Sequence, residues 1–241
     1  MQMKFIVFIL LAIGSGLVSA QEPVLSSVPD TLEQRVKPCT ICHGDEDKAG
    51  RDAYYPRIAG KPAGYLFNQL RNFRDGRRYY QAMAILLENL SDEYLLEIAH
   101  YFSSLKYPYP EPAANTLSPE EIQAVETLVH SGDPERDIPA CGACHGKALM
   151  GVEPFIPSLL GLPHAYVAAQ FGGWRNGGIM RGQTPDCMSE IAKKLSQEEV
   201  NALTVWLPAH PVTGEPAEAE TLPPELAQRC QTILSGEGFT R

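Results

Sequence analysis

The chain has 241 residues and a formal net charge of −9 at pH 7, a size that allows one large domain or two small ones. Its acidic balance, 29 Asp and Glu against 20 Lys and Arg, argues against nucleic-acid binding, because phosphates require a basic surface. Six cysteines would suggest a disulfide framework in an exported protein, but four of them occupy two copies of one motif.

The first twenty residues have the pattern of a secretory signal peptide. Lys4 precedes the apolar run at 5–14, and a run of small residues ends at Ala20. The apolar run is shorter than the roughly 20 residues that span a bilayer, so we favour cleavage after Ala20 over an uncleaved anchor. We therefore expect a soluble, periplasmic mature protein without a transmembrane span.

Cys-x-x-Cys-His-Gly occurs twice, in KPCTICHG at 37–44 and in PACGACHG at 139–146. Cys-x-x-Cys-His is the attachment signature of c-type haem: two thiols one turn apart bind the vinyl groups, and the adjacent imidazole binds the iron. A structural zinc site requires Cys-x-x-Cys pairs much closer together, and a thioredoxin-like motif has no following histidine. We predict two covalently bound haem c groups, attached to Cys39, Cys42, Cys141 and Cys144, with His43 and His145 as iron ligands.

A longer internal repeat surrounds these motifs. YPRIAGKPAGYLFNQLRNFRDG at 55–76 aligns with IPSLLGLPHAYVAAQFGGWRNG at 156–177, with Pro, Gly, Tyr, Gln and Arg at a constant offset. MAILLENLSDEYLLEIAHYF at 83–102 likewise aligns with MSEIAKKLSQEEVNALTVWL at 188–207. The sequence therefore predicts two duplicated domains with one haem each.

Local signals predict helices throughout both repeats. An apolar stripe favours a helix over 62–75, and serine caps at Ser91 and Ser196 begin the final helix of each repeat. Ser118 followed by a proline begins another helix, after a stiff proline-rich connector. No stretch alternates as a strand does, so both repeats are expected to be mostly helical.

Each haem iron needs a sixth ligand, or keeps an open position. Met83 and Met188 are the methionines at matching positions of the two repeats, and this duplicated register favours them as ligands over the usual packing role of methionine. Met180 is the alternative in the second repeat, but the first repeat has no equivalent. Met150 is too close to His145 to reach the opposite haem face.

Four other histidines could act as iron ligands, and two prolines could orient the ligating histidines. A bis-histidine site is disfavoured, since none of the remaining histidines recurs between the repeats: these are His100, His130, His164 and His210. Pro56 and Pro157 stand where a backbone carbonyl could receive the N–H of the ligating histidine and fix its ring. A plain turn role explains these prolines equally well.

His/Met ligation fills both axial positions of the iron, which favours electron transfer over catalysis. With these motifs, residues 36 to about 208 resemble the dihaem class I c-type cytochromes of the cytochrome c4 type. The resemblance implies an all-α protein with two tandem class I cytochrome c domains, packed haem to haem, that carries electrons in the periplasm. We assign a signal peptide at 1–20, domains at 21–106 and 120–208, a linker at 107–119 and a Pro/Glu-rich tail at 209–241.

Two features depart from the simplest pattern of this family. Cys187 lies beside Met188, and Cys230 lies in the tail. In an oxidising compartment these cysteines could form a disulfide, although two free thiols or iron ligation by Cys187 are alternatives. The basic cluster RNFRDGRR at 71–78 could be a docking face for an acidic partner.

Three functions are compatible with these observations. The leading one is a periplasmic electron carrier between a dehydrogenase or quinol-oxidising complex and a terminal oxidase. The second is the cytochrome subunit of a membrane-associated dehydrogenase, held at the membrane by its partners. The third is a dihaem peroxidase, which would need one iron with an open position, and the paired methionines argue against it.

Overall fold

The computed structural model describes residues 29–46, 50, 52–177, 186–214, 216, 224–234 and 239. The predicted signal peptide and Met180 lie outside these residues. Within them the chain is mostly helical, as the sequence predicts, and one short hairpin is the sheet that the described residues contain. No helix among them is long and apolar enough to cross a membrane.

Four helices build the first domain. They are α1 Leu32–His43, α2 Ala63–Arg74, α3 Gln81–Leu87 and α4 Asp92–Ser104. Ser91 caps α4 by accepting a hydrogen bond from the Tyr94 N–H, as the sequence predicts. Helices α2 and α4 pack together around a core that centres on Phe67, Leu95 and Phe102.

Five helices and the hairpin build the second domain. They are α5 Pro119–Ser131, α6 Cys141–His145, β1 Gly151–Val152, β2 Ile156–Pro157, α7 His164–Arg175, α8 Cys187–Lys194 and α9 Gln197–Ala209. Both α5 and α9 begin with complete capping boxes at Ser118 and Ser196. Helix α9 packs on α5 and α7, over a core that includes Val129, Leu203 and Trp206.

The two domains present the Cys-x-x-Cys-His motif on different elements. In the first domain the motif forms the end of the long helix α1, whereas in the second it forms the separate short helix α6. Gly132, with a φ of 71°, ends α5 before this point, and its N–H bonds to the Leu128 carbonyl. The segment between them then folds back through an Asp133–Ile138 bridge.

The C-terminal segment packs on the rest of the molecule, a role that the sequence analysis did not give it. It forms α10 Pro224–Arg229 and α11 Gln231–Leu234. Arg229 makes ion pairs with Asp137 and Glu190 of the second domain. Phe239 packs against the first core, with its ring 6.4 Å from that of Phe67.

The two domains contact each other through α2 and the segment after β1. The Tyr65 N–H donates to the Pro154 carbonyl at 3.0 Å. Gly64 is required at this contact, because a Cβ there would lie 2.5 Å from the Phe155 ring. Arg78 of the first domain also donates to the Gln170 side chain at 2.7 Å.

Candidate haem sites

The first candidate site is formed by the end of α1. This helix carries Cys39, Cys42 and His43 within its last turns. The Nδ1 atom of His43 lies 2.8 Å from the Pro56 carbonyl oxygen, so an N–H at Nδ1 donates to this carbonyl and leaves Nε2 as the metal-binding nitrogen. Burial lowers the pKa of His43, and the bond to Pro56 opposes this shift. The imidazole is therefore neutral near pH 7, as an iron ligand must be.

The second candidate site repeats this arrangement on α6. The Nδ1 atom of His145 lies 2.8 Å from the Pro157 carbonyl oxygen. Burial lowers the pKa of His145, again opposed by the carbonyl. Burial also raises the pKa of Cys141 to about 11 and raises that of Cys144 above its usual value. Both thiols are thus uncharged at neutral pH, and neutral thioethers suit the same surroundings.

The methionines differ sharply in their environments. Met188, in α8, lines a cavity of about 460 Å³ together with Cys141, Cys144 and His145. Met83, in α3, packs at the edge of the first core, as Cys39 does. Met150 is only 1% exposed and belongs to the second core. The structure thus gives Met150 a packing role and places Met188 with the Cys-x-x-Cys-His motif of its domain.

The cavity at the second site fits a haem chemically. Its walls include Val167, Phe171 and Leu203, which suit an apolar macrocycle. Four cations of the first domain also line it: Lys61, Arg71, Arg77 and Arg78. Arg71 and Arg77 pair with aspartates, whereas Lys61 and Arg78 form no ion pair with a carboxylate among the described residues. Arg78 can therefore receive a carboxylate that a haem carries.

The first site presents apolar surface that a haem would cover. Ile41, between the two cysteines of the first motif, is 64% exposed. Ile85 and Leu86, which follow Met83 in α3, are exposed to a similar degree. Exposed apolar side chains beside both the first motif and Met83 are compatible with an apolar group bound between His43 and Met83.

The remaining histidines lie away from the cavity. His100 stacks on Phe239, and His130 and His210 both lie against Trp206. His164 is the exposed first residue of α7. All four are described, and none of them lines the cavity of the second site.

Cys187 and Cys230 are joined by a disulfide, with their Cα atoms 5.2 Å apart. Both residues are buried, and both line the cavity beside Met188. The bond therefore fixes the C-terminal segment to the start of α8. It also occupies the Cys187 sulfur, which is not free to ligate iron.

The arginines of the basic cluster at 71–78 make contacts within the molecule. Arg74 and Arg77 make ion pairs with Asp75, and Arg74 also pairs with Asp92. Arg78 turns into the domain contact, where it donates to Gln69 at 2.6 Å and to Gln170 at 2.7 Å. Most of these arginines are therefore paired with neighbouring carboxylates or buried at the domain contact.

Comparisons with known proteins agree with this architecture. The chain is 35% identical over 175 residues to a thiosulfate dehydrogenase electron acceptor of Thiomonas intermedia, covering 73% of this chain and 79% of the relative. It is 30% identical over 206 residues to cytochrome c4 of Pseudomonas aeruginosa, covering 85% and 97% of the two chains. The crystal structure of reduced cytochrome c4 from Pseudomonas stutzeri superposes with a TM-score of 0.61 at 29% identity, covering 73% of this chain and 95% of that one. No protein-family model matches the chain.

Two helical domains, each with a Cys-x-x-Cys-His motif, together with these relatives define a dihaem class I c-type cytochrome. More narrowly, the chain belongs to the cytochrome c4 family. It is an electron-transfer protein with two covalently bound haem c groups, as the sequence predicts.

Proposed function

We propose that this protein is a periplasmic electron carrier that accepts electrons from a dehydrogenase, such as a thiosulfate dehydrogenase, or from a quinol-oxidising complex. It then delivers them to a terminal oxidase. The observation that carries this proposal is the repeated ligand frame: in each domain a proline carbonyl holds the motif histidine at 2.8 Å. Relatives named as electron acceptors of thiosulfate dehydrogenase support the choice of donor.

In this proposal the haems are attached through Cys39 and Cys42 in the first domain and through Cys141 and Cys144 in the second. Each iron would be held by one histidine and one methionine: His43 and Met83 in the first domain, and His145 and Met188 in the second. Pro56 and Pro157 orient the two imidazoles. The bound haems supply a one-electron iron couple, and the protein holds the ligands in place during electron transfer.

Export through residues 1–20 and the domain limits at 21–106 and 120–208 are part of the same proposal. A periplasmic location agrees with the Cys187–Cys230 disulfide, since disulfides persist in oxidising compartments. The alternative of a dehydrogenase subunit uses the same haem chemistry and differs only in whether the protein stays bound to its donor. A peroxidase would require an open iron position, which filled Met83 and Met188 sites do not offer.

The experiment mixes the purified, oxidised holoprotein with a catalytic amount of thiosulfate dehydrogenase and with thiosulfate, and follows the visible spectrum of the haems. We expect complete reduction of both haems and reoxidation when a terminal oxidase is added. A variant with Cys141→Ser and Cys144→Ser should accept half as many electrons. No reduction by this donor, with full reduction by a quinol-oxidising complex, would replace the proposed donor. Turnover of hydrogen peroxide by the reduced protein would contradict the carrier role.

A further inference from the structure

Lys61 is a buried lysine at the contact between the two domains. It lies in the loop before α2 and is 5% exposed, and its amine is 3.4 Å from Ser158 Oγ and 3.5 Å from the Ser158 carbonyl. Ser158 follows Pro157, whose carbonyl holds His145. Lys61 also lines the cavity that contains His145. The first domain thus places a cation near His145 and the Pro157 carbonyl of the second domain.

The surroundings of Lys61 do not neutralise its charge. Within the described residues, no ion pair involves Lys61. Burial lowers its pKa to about 8, and the nearby Arg57 guanidinium acts in the same direction. Burying an unpaired cation is costly, and the second domain has the apolar Leu162 at the aligned position. Burial of a cation at this position, where the second domain has an apolar residue, therefore leaves an uncompensated positive charge at the domain contact.

The other charged and titratable groups around Lys61 have their own contacts. Arg57 donates to the carbonyls of Tyr107 and Pro108. Asp186 caps α8 through the Ser189 N–H. The remaining groups of this kind along the cavity are His145, Arg71, Arg77, Arg78, Tyr65 and Tyr166. Asp186 is the carboxylate among the described residues that line the cavity, and it is engaged with α8 rather than with Lys61.

We propose that Lys61 raises the reduction potential of the haem in the second domain, acting across the domain contact. The inference rests on the proposed attachment of that haem to Cys141 and Cys144. Oxidised iron carries one more positive charge than reduced iron, so a nearby ammonium disfavours the oxidised form. Because Lys61 is shielded from water, salt screens this interaction only weakly.

The same charge makes the reduction potential of the second haem depend on pH. Reduction of a bound haem would remove one positive charge from its iron and so raise the pKa of Lys61, and a neutral Lys61 amine would then take up a proton from solvent. Below the pKa in both redox states Lys61 is protonated and the potential is high. As pH rises through the pKa of Lys61, the ammonium loses its proton and the reduction potential of the second haem falls.

The test compares wild-type holoprotein with Lys61→Met in a spectroelectrochemical titration at neutral pH. We expect the equilibrium constant of the second haem to move about tenfold toward the oxidised form, which is about 59 mV for one electron. The first haem should keep its potential. A Met188→His variant identifies the second haem by its own shift. Lys61→Leu, which installs the residue aligned in the second domain, is a second neutral variant if Lys61→Met does not fold.

Two matched variants separate charge from packing. Lys61→Arg keeps a permanent charge, so it should retain the high potential and lose its dependence on pH. Lys147→Met removes an exposed lysine just after the second motif and should change the potential little, because water screens that charge.

The outcomes distinguish this inference from the proposed function. If wild-type protein has two high-potential haems and neutral Lys61 variants leave both unchanged, the inference is wrong and the carrier function stands. An equal shift of both haems would also overturn the assignment to the second domain. If wild-type protein lacks two such haems, both proposals fail.

Discussion

The two haem sites have the same ligand frame in different surroundings. His43 and His145 are each held at 2.8 Å by a proline carbonyl. The second frame, however, lies in a cavity to which the first domain contributes Lys61 and Arg78, and a disulfide closes it beside Met188. The first frame lies beside exposed apolar side chains. Duplication has thus preserved the contact that orients each motif histidine, while the residues around it have diverged.

We expect this difference to change the reduction potentials of the two haems, since their proposed ligands are the same. Axial ligands set the broad range of a haem potential, and burial and nearby charges adjust it within that range. We therefore expect two similar spectra and two different potentials. The predictions below test first the shared frame and then the features that only one site has.

The largest effect is expected from the proposed methionine ligands. Met188→Ala should open the sixth position of the second iron, lower its potential by a substantial part of the roughly 0.8 V range that axial ligands span, and allow carbon monoxide to bind. Met83→Ala should do the same to the first iron alone. Potentiometric titration of each variant, with and without carbon monoxide, measures both effects.

Met150→Leu is the matched control for these variants. Met150 is buried in the second core, and this volume-conserving change should cost less than about 1.5 kcal/mol and leave both potentials unchanged. If Met188→Ala kept its potential and its inertness to carbon monoxide, the ligand would have to be another residue, with Met180 the first to test.

The disulfide is the next feature, and only the second site has it. Replacing Cys187 and Cys230 together by serine should lower the free energy of unfolding of the second domain by about 2–4 kcal/mol. The first domain should unfold as before. Denaturant titration followed by the spectrum of each haem measures the difference.

Reductant provides the control for the disulfide variant. Wild-type protein treated with dithiothreitol should lose the same stability, whereas the double variant should not respond. A wild-type mass that reductant leaves unchanged would show that the two thiols are free, contrary to the structure.

A smaller effect is expected at the domain contact. In Gly64→Val the added side chain would collide with the Phe155 ring and with the Pro154 carbonyl, which a Cβ would approach to 2.8 Å. We expect a loss of about 1–3 kcal/mol in stability and a looser contact between the domains. Denaturant titration measures the stability, and the radius of gyration in solution reports the separation.

Gly172→Ala is a control in the helix aligned with α2. Its added methyl group would meet nothing within 4 Å, so it should stabilise α7 by up to about 1 kcal/mol. If Gly64→Val were as stable as wild type and equally compact, the domain contact described here would be wrong.

Local signals in the sequence were sufficient for α2 and for the starts of α4, α5 and α9, whereas α1, α3 and α8 were not individually predicted. The caps at Ser91, Ser118 and Ser196 depend on neighbours three residues away, and such contacts are encoded in a short window. The short helix α6 has no such signal, because no side chain caps it at Ala140, and it was not predicted.

Contacts between distant parts of the chain could not be predicted in this way. The sequence analysis does not predict the packing of Phe239 on the first core or the burial of Lys61. One signal was present, however: the residue aligned with Lys61 in the second repeat is the apolar Leu162. An apolar residue at one copy of a duplicated position indicates that the other copy is also buried.

The most direct test of the account is a redox titration of the purified holoprotein, followed by its visible spectrum, with carbon monoxide added to the reduced form. We expect two high-potential haems that differ in potential and are both inert to carbon monoxide. One low-potential haem, or one that binds carbon monoxide, would contradict the shared His/Met frame.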